Sequence, residues 1–209
     1  LKSFSSSKVG IVLNNEYASP LNDDPNNIDA ANLFDAIYNR WFSDAIFLGN
    51  YPKIALEVLG KYLPSEFNDD LKIISTPIDW LGLNYYTRSL IKNYKSNDGI
   101  NYECLRGDLK KTDMEWEFYP QGLGYFIERI HNEYNKKIPI YITENGMANK
   151  DFLNEKNEII DEDRIEYFDL HLKEVLKCLH KGIPIKGYFA WSLMDNYEWS
   201  FGYEKRFGM

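Results

Sequence analysis

Cys104 and Cys178 are the only two cysteines in the 209 residues. They are too few for a disulfide framework and lack metal-ligand spacing, so the chain reads as a protein of a reducing compartment, the cytoplasm. No apolar run approaches the roughly 20 residues needed to span a bilayer. No basic cluster is longer than a dipeptide, and 24 basic against 32 acidic side chains leave a net charge of −8. That balance argues against nucleic acid and anionic membrane surfaces as partners. The glycine patterns of nucleotide-binding loops, G-x-G-x-x-G after the first strand and G-x-x-x-x-G-K-[ST] anywhere, are missing. Histidine is scarce: His131, His171 and His180 show no ligand spacing and read as surface residues, so neither a metal nor an organic cofactor is expected. The opening Leu1-Lys2-Ser3-Phe4 is neither a signal peptide nor an initiating methionine, and reads as a chain cut from something longer.

What the chain has is apolar and aromatic side chains. At 44% hydrophobic and 16% aromatic, with 16 Tyr, 12 Phe and 5 Trp, it can bury a sizeable core. Aromatics in excess fill cores by default, but they also stack on the apolar faces of sugars.

The period of the apolar residues orders the chain. Lys8 to Leu13 is a short β-like run ending at Asn14-Asn15-Glu16, and Pro20 to Asn27 is a polar loop. From about Ile28, Ala30, Phe34, Ile37, Trp41, Ala45 and Leu48 recur at steps of three and four, predicting a helix that stops at Gly49-Asn50. Pro52 restarts a helix to about Tyr62. Ile78 to Thr87 reads as a core strand in which Asn84 and Tyr86 share one face and Tyr85 points to the other. Residues 95–113 read as a loop. After Tyr119-Pro120 comes a helix with the stripe Leu123, Phe126, Ile127, Ile130 and Tyr134. Ile138 to Gly146 is a short apolar run that delivers Glu144 to its end and breaks at Asn145-Gly146, a strand buried on both faces. Residues 147–160 form a charged loop. Asp161 to Lys181 is the clearest helix, with the stripe Ile165, Phe168, Leu172, Val175, Leu176 and Leu179, and Gly182 and Pro184 terminate it. Ile185 to Trp191 is another buried strand. Strands alternating with helices predict a parallel sheet and an α/β fold. The alternation is shared by a doubly wound sheet and by part of an eight-stranded barrel. In both, the carboxyl ends of the strands carry the chemistry.

Ile142-Thr143-Glu144-Asn145-Gly146 resembles the nucleophile motif of glycoside hydrolase family 1, the retaining β-glucosidase and β-galactosidase family. The aromatic and acidic run from Trp191 to Gly208 is similar to that family's sugar-binding loop. Further matches are Asn39-Arg40-Trp41-Phe42 with Tyr51-Pro52, Gly82-Leu83-Asn84-Tyr85-Tyr86, and Thr112 to Pro120, all in the family's order. The resemblance implies a partial catalytic domain over 1–209. It would be the carboxyl-terminal half of a (β/α)8 TIM barrel, from about the fifth strand to the eighth, incomplete without the amino-terminal half. It implies Glu144 as the nucleophile, Tyr86 as donor to its carboxylate and Asn84 beside it near the sugar's 2-hydroxyl. Glu198 and Trp199 would grip the far side of the non-reducing sugar, Trp191 would be its floor and Phe207 a wall near C6. Trp116 would lie on the leaving-group side, where Glu115 departs from the family's usual small residue.

A retaining glycosidase needs one carboxylate that attacks the anomeric carbon and a second carboxyl about 5–5.5 Å away that protonates the leaving oxygen. In this family the second belongs to a T-x-N-E-P motif, alongside a Gln, a His and a Trp of the sugar site. No Asn-Glu-Pro occurs in the 209 residues. Glu16 and Asp79 have no motif that promotes them and read as solvated or structural. The missing half of the barrel, carrying the acid/base Glu, is therefore an expected partner, and the fragment alone is expected to be inactive. The expected substrate is a β-glycoside or oligosaccharide. A non-catalytic sugar-binding derivative stays open, as does a 6-phospho-β-glycosidase, for which Lys205 would be the phosphate contact.

Overall fold

The computed structural model describes residues 6–134 and 138–209; the opening Leu1 to Phe4 lies outside them. The chain divides into two compact units, one of Leu1–Leu81 and Arg88–Gly107, the other of Gly82–Thr87 and Asp108–Met209.

In the first unit, β1 (Gly10–Pro20) leads into α1 (Pro25–Asp35), a π-helical turn (Ala36–Arg40), α2 (Trp41–Leu48), α3 (Lys53–Leu59) and α4 (Phe67–Ile74). β2 (Trp80–Asn93) follows and then β3 (Tyr102–Leu105). β1 runs past the expected end at Asn14 because its polar residues are paired. Asn15 donates to Asn39 Oδ1 (3.2 Å), Asn39 donates to the Glu16 carbonyl (2.9 Å), and the Glu16 carboxyl accepts from the Ser89 hydroxyl. Burial raises the Glu16 pKa, partly offset by Ser89. Asp79 accepts from the Val9 amide at 2.8 Å. Both acids are structural. β1 and β2 run parallel, since the Asp79 amide donates to Val9 O and the Leu21 amide to Ile91 O, so that the partners advance together.

α1 starts earlier than expected, at Pro25, because the Asp24 side chain caps it by accepting from the Asn26 amide (2.9 Å). Gly49, at φ 69°, ends α2 where the sequence placed the stop. Two elements depart from the sequence reading. α4 lies between the helix expected to end at Tyr62 and the strand expected from Ile78, where the sequence reading assigned no element. The loop 95–113 contains β3, antiparallel to the end of β2 with Leu90 opposite Leu105 and Asn93 opposite Tyr102. The hairpin between them is closed by side chains, the Asp98 carboxyl accepting from Ile100 N (2.9 Å) and Asn101 Oδ1 from Ser96 N (3.1 Å).

In the second unit the middle of β2 neighbours β4 (Ile140–Asn145), and β4 pairs in parallel with β5 (Ile185–Ala190). Helices α5 (Pro120–Asn132) and α6 (Glu162–His180) cover one face of these strands. Leu83, Tyr85 and Thr87 are buried and Asn84 and Tyr86 only partly so, the alternation expected of β2. Tyr85 packs against Phe126 and His171, and its hydroxyl donates to the Tyr119 carbonyl at 2.6 Å. The ring lies so close to α5 that a Cβ on Gly122 would stand 2.0 Å from the Tyr85 oxygen.

α6 has the expected bounds but buries a different face. Ile165, Leu172, Leu176 and Leu179 of the expected stripe are exposed, whereas Arg164, Tyr167, His171, Val175 and Cys178 are buried. The three-and-four spacing holds, rotated by one residue, because Arg164 and His171 find partners inside. His171 is therefore no surface residue. Its Nδ1 donates to the Tyr167 carbonyl (2.7 Å), its ring stacks on Tyr167 at 3.9 Å, and its Nε2 is buried without a hydrogen bond.

That burial pushes the His171 pKa down to about 4, against an opposing pull from the Tyr167 carbonyl. Between that value and the ordinary 6.5 the unfolded chain binds the proton and the folded chain does not. Stability is thus complete above this window and is lost as the pH falls through it. Urea denaturation at successive pH values should show stability dropping by about 1.4 kcal/mol per pH unit below 6.5. His171→Phe should flatten the dependence between pH 6.5 and 5, and an unchanged slope in that variant would assign the effect elsewhere.

Candidate active site

Glu144 is the penultimate residue of β4. By strand alternation it shares parity with Ile140 and Ile142, which are fully buried. The observed contacts differ. Thr143 Oγ1 donates to Asn84 Oδ1 at 2.6 Å, and the next residue, Glu144, accepts through Oε2 from Tyr86 Oη at 2.7 Å. Two consecutive residues of β4 thus meet the same face of β2. Regular pleating forbids this, and the register irregularity between Ile142 and Asn145 permits it.

Asn145 holds that irregularity. It is not the turn residue the Asn-Gly pair suggests but the fully buried last residue of β4. Its Nδ2 donates to the Tyr85 carbonyl (2.7 Å) and to Tyr167 Oη (3.2 Å), and its Oδ1 accepts from Tyr188 Oη (2.5 Å). Its carbonyl accepts from the Trp191 amide at 2.9 Å. Gly146 lets the chain leave: a Cβ there would lie 1.8 Å from the Trp191 carbonyl oxygen.

Around the Glu144 carboxyl stands an aromatic wall. The Tyr86 ring lies 5.3 Å from Trp116 and 6.3 Å from Phe207, which are 6.3 Å from each other. Burial raises the Tyr86 pKa far above its ordinary range, reinforced by the hydrogen bond to Glu144 and by the charges of Glu144 and Glu198. The phenol therefore remains a donor at any working pH.

The structure brings Asn84, Tyr86, Trp116, Glu144 and Phe207 together, with Phe207 only 1% exposed. Trp191, half-buried, joins them through its backbone. The Glu198 carboxyl accepts from Asn196 Nδ2 at 2.9 Å. Trp199 stands apart, 83% exposed at a φ of 43°. Glu115 adopts φ 61°, a conformation that glycine takes without cost, which explains why a small residue suits the position. Lys205 is engaged: its Nζ donates to the Asp113 carbonyl (2.6 Å) and carboxyl (3.0 Å). Sequence reasoning missed Asn145, Tyr188 and Asn196. Asn145 stood inside the quoted motif, and its burial within a strand of isoleucines was the available signal. Among the described residues, no three His, Cys, Asp or Glu side chains are placed to hold a metal ion, and no helix is long and apolar enough to cross a membrane.

The model of glycosyl hydrolase family 1 matches residues 2–209. A 1,4-β-D-glucan glucohydrolase of Thermotoga neapolitana is 39% identical over 203 residues, covering 97% of this chain and 47% of that protein. A 6-phospho-β-galactosidase of Clostridium acetobutylicum is 35% identical, covering 97% of the chain and 48% of its own length. The solved structure of the family 1 β-glucosidase from Thermotoga maritima in complex with isofagomine lactam superposes with a TM-score of 0.92 at 38% identity, over 99% of this chain and 46% of that one. The chain spans about half the length of the curated relatives it matches.

Because the Gly146 Cβ position collides with backbone, Gly146→Ala should destabilise the protein by about 1–3 kcal/mol and displace the Trp191 strand end. Thermal denaturation with near-ultraviolet circular dichroism of the tryptophans would check this, and a wild-type midpoint would contradict it.

Proposed function

The chain belongs to glycosyl hydrolase family 1, its α/β sheet being part of that family's (β/α)8 barrel, and from that premise we propose that it forms part of a retaining β-glycosidase of β-glucosidase type. The observation that carries the reading is the hydrogen bond from Tyr86 to Oε2 of Glu144 at the end of β4. One carboxylate oxygen is thereby held, and Oε1 is left to attack. On attack Oε1 bonds to the anomeric carbon as the bond to the leaving oxygen breaks and a second carboxyl protonates that oxygen. Water then attacks the same carbon, the second carboxyl takes its proton, and the bond to Glu144 breaks with net retention.

In this proposal 1–209 is one partial catalytic domain, and the acid/base Glu comes from outside these residues, from the other half of the barrel. Glu198, oriented by Asn196, accepts from sugar hydroxyls together with Trp199. Trp191 is the floor, Phe207 backs the C6 side, Asn84 lies near the 2-hydroxyl and Trp116 faces the leaving group. The substrate is a β-glycoside or oligosaccharide, and the protein acts in the cytoplasm. Lys205, bound to Asp113, and a carboxylate at Glu198, whose oxygen accepts from Asn196, support an unphosphorylated sugar over the 6-phospho reading. The Tyr86–Glu144 pair likewise favours catalysis over a purely sugar-binding role.

Incubating the protein, in a barrel reconstituted with the half that carries the acid/base Glu, with a 2-deoxy-2-fluoro-β-glucoside and mapping the label by mass spectrometry tests this. A label on the Glu144 peptide is expected, and its absence would overturn the nucleophile assignment. Tyr86→Phe removes one hydrogen bond to a charged group, about 1.5–3 kcal/mol, and should slow labelling roughly 10-fold to 100-fold.

A further inference from the structure

Arg164 lies on the buried face of α6, with its side chain 4% exposed. Its guanidinium is the centre of an ion cluster. Nη1 donates to Asp151 Oδ1 (2.7 Å) and to both oxygens of Asp161 (2.9 Å each), while Nη2 donates to the backbone carbonyl of Arg206 (2.6 Å). Asp151, 7% exposed, also holds the Arg206 side chain at 3.0 Å. The Asn149 amide donates to the same Arg206 carbonyl at 3.1 Å. Next in the chain is Phe207, whose carbonyl accepts from the Ser192 amide (3.1 Å) and whose ring meets Tyr86 and Trp116. A path of hydrogen bonds, chain continuity and edge-on ring packing therefore runs from Arg164 through Arg206 and Phe207 to the phenol that holds Glu144.

Charge alone would not require this arrangement. Asp161 sits before the first turn of α6, and a surface cation would serve it. What distinguishes Arg164 is the second nitrogen, which points away from both acids to a backbone carbonyl inside the sugar loop. A planar fork places two donors at a fixed angle, one anchored on carboxylates and one on the loop, whereas an ammonium presents a single point.

We propose that Arg164, with Asp151, is a positioning residue for catalysis: it fixes the Arg206 carbonyl, and through it the Phe207 ring, so that Tyr86 stays aimed at Oε2 of Glu144. The inference rests on the reading of Glu144 as the nucleophile. Arg164 touches no substrate and acts only through Phe207. Arg164→Lys keeps the buried charge opposite Asp151 and Asp161 but removes the second donor, so the cluster stays compensated.

The test is the rate of covalent labelling by a saturating 2-deoxy-2-fluoro-β-glucoside, measured on the same reconstituted barrel and divided by the fraction of molecules that label at completion. A structural role alone lowers the labelling fraction and the thermal midpoint but leaves the rate per competent site at the wild-type value. A positioning role slows the rate per site, by about 10-fold to 100-fold, as a misaligned reacting group does. Arg164→Lys should show that slowing, as should Asp151→Asn, which removes one of the guanidinium's two carboxylate partners and the charge that holds the Arg206 side chain, and serves if the lysine variant does not fold. Phe207→Leu should also slow labelling, and Arg164→Lys combined with Phe207→Leu should be no slower than Phe207→Leu alone. Wild-type rates per site in Arg164→Lys and Asp151→Asn, or multiplicative slowing in the double variant, would overturn the proposal while leaving Glu144 as the nucleophile. An unlabelled wild type would remove both.

Discussion

The site depends on one break in regularity, the register irregularity at the end of β4. A strand that alternates inside and outside would keep Glu144 on the face of Ile140 and Ile142, among apolar side chains where a carboxylate has no partner. The irregularity turns it onto the face of Asn84 and Tyr86. Breaking a ladder leaves backbone and side-chain polar groups to be satisfied, and the Asn145 amide satisfies them, reaching the Tyr85 carbonyl, Tyr167 and Tyr188. A buried donor left unpaired costs roughly 1–3 kcal/mol, so the amide and its partners specify the bent conformation together. Alanine at 145 would keep the backbone and lose that specification.

A second constraint follows from the first. Tyr167, which closes the Asn145 network from α6, also donates to the Tyr86 carbonyl at 2.8 Å and stacks on His171. The inner face of α6 is for this reason polar and aromatic where a helix over a sheet is ordinarily aliphatic. His171 serves there as a neutral, flat ring. Arg164, one turn before Tyr167, is tolerable only because two carboxylates and a carbonyl surround it. The helix thus gives up aliphatic burial on this face for orientation of the loops above the strands.

The same trade explains what could be read from residues alone. Elements that bury apolar residues were legible from spacing, β4 and α5 among them, as were the bounds of β5 and α6; β5, expected to be a buried strand, has no buried residue and exposes Phe189. The parity of Asn84 and Tyr86, and of Tyr85 on the opposite face, was legible because β2 keeps its period through that stretch. Where polar residues do the packing, spacing of apolar side chains misleads. It ended β1 at Asn14, before the Asn15–Asn39 pairing that extends it. It chose the aliphatic stripe of α6, which is exposed, over the Arg164–Tyr167–His171 face, which is not. It overlooked β3, whose hairpin is closed by Ser96, Asp98 and Asn101. Glu144 itself was legible as a carboxylate at a strand end, but its direction was not, since the bend that aims it is made by hydrogen bonds to side chains dozens of residues away.

The choice of a phenol opposite Glu144 has its own logic. A lysine or arginine at position 86 would bind the carboxylate more tightly, and a buried ion pair of that kind would lower the energy of the very charge that, in the proposed mechanism, moves onto the sugar. Tyr86 gives direction without a countercharge. Burial and the neighbouring acids raise its pKa, so it stays neutral and keeps its proton, and the proposed attack by Oε1 would leave behind no uncompensated cation. The rings of Trp116 and Phe207 serve the same end, since they flank the phenol and limit the directions it can take. Orientation by a neutral donor in a half-buried, aromatic setting is thus sufficient to hold the proposed nucleophile ready, provided that the strand beneath it is bent to present it.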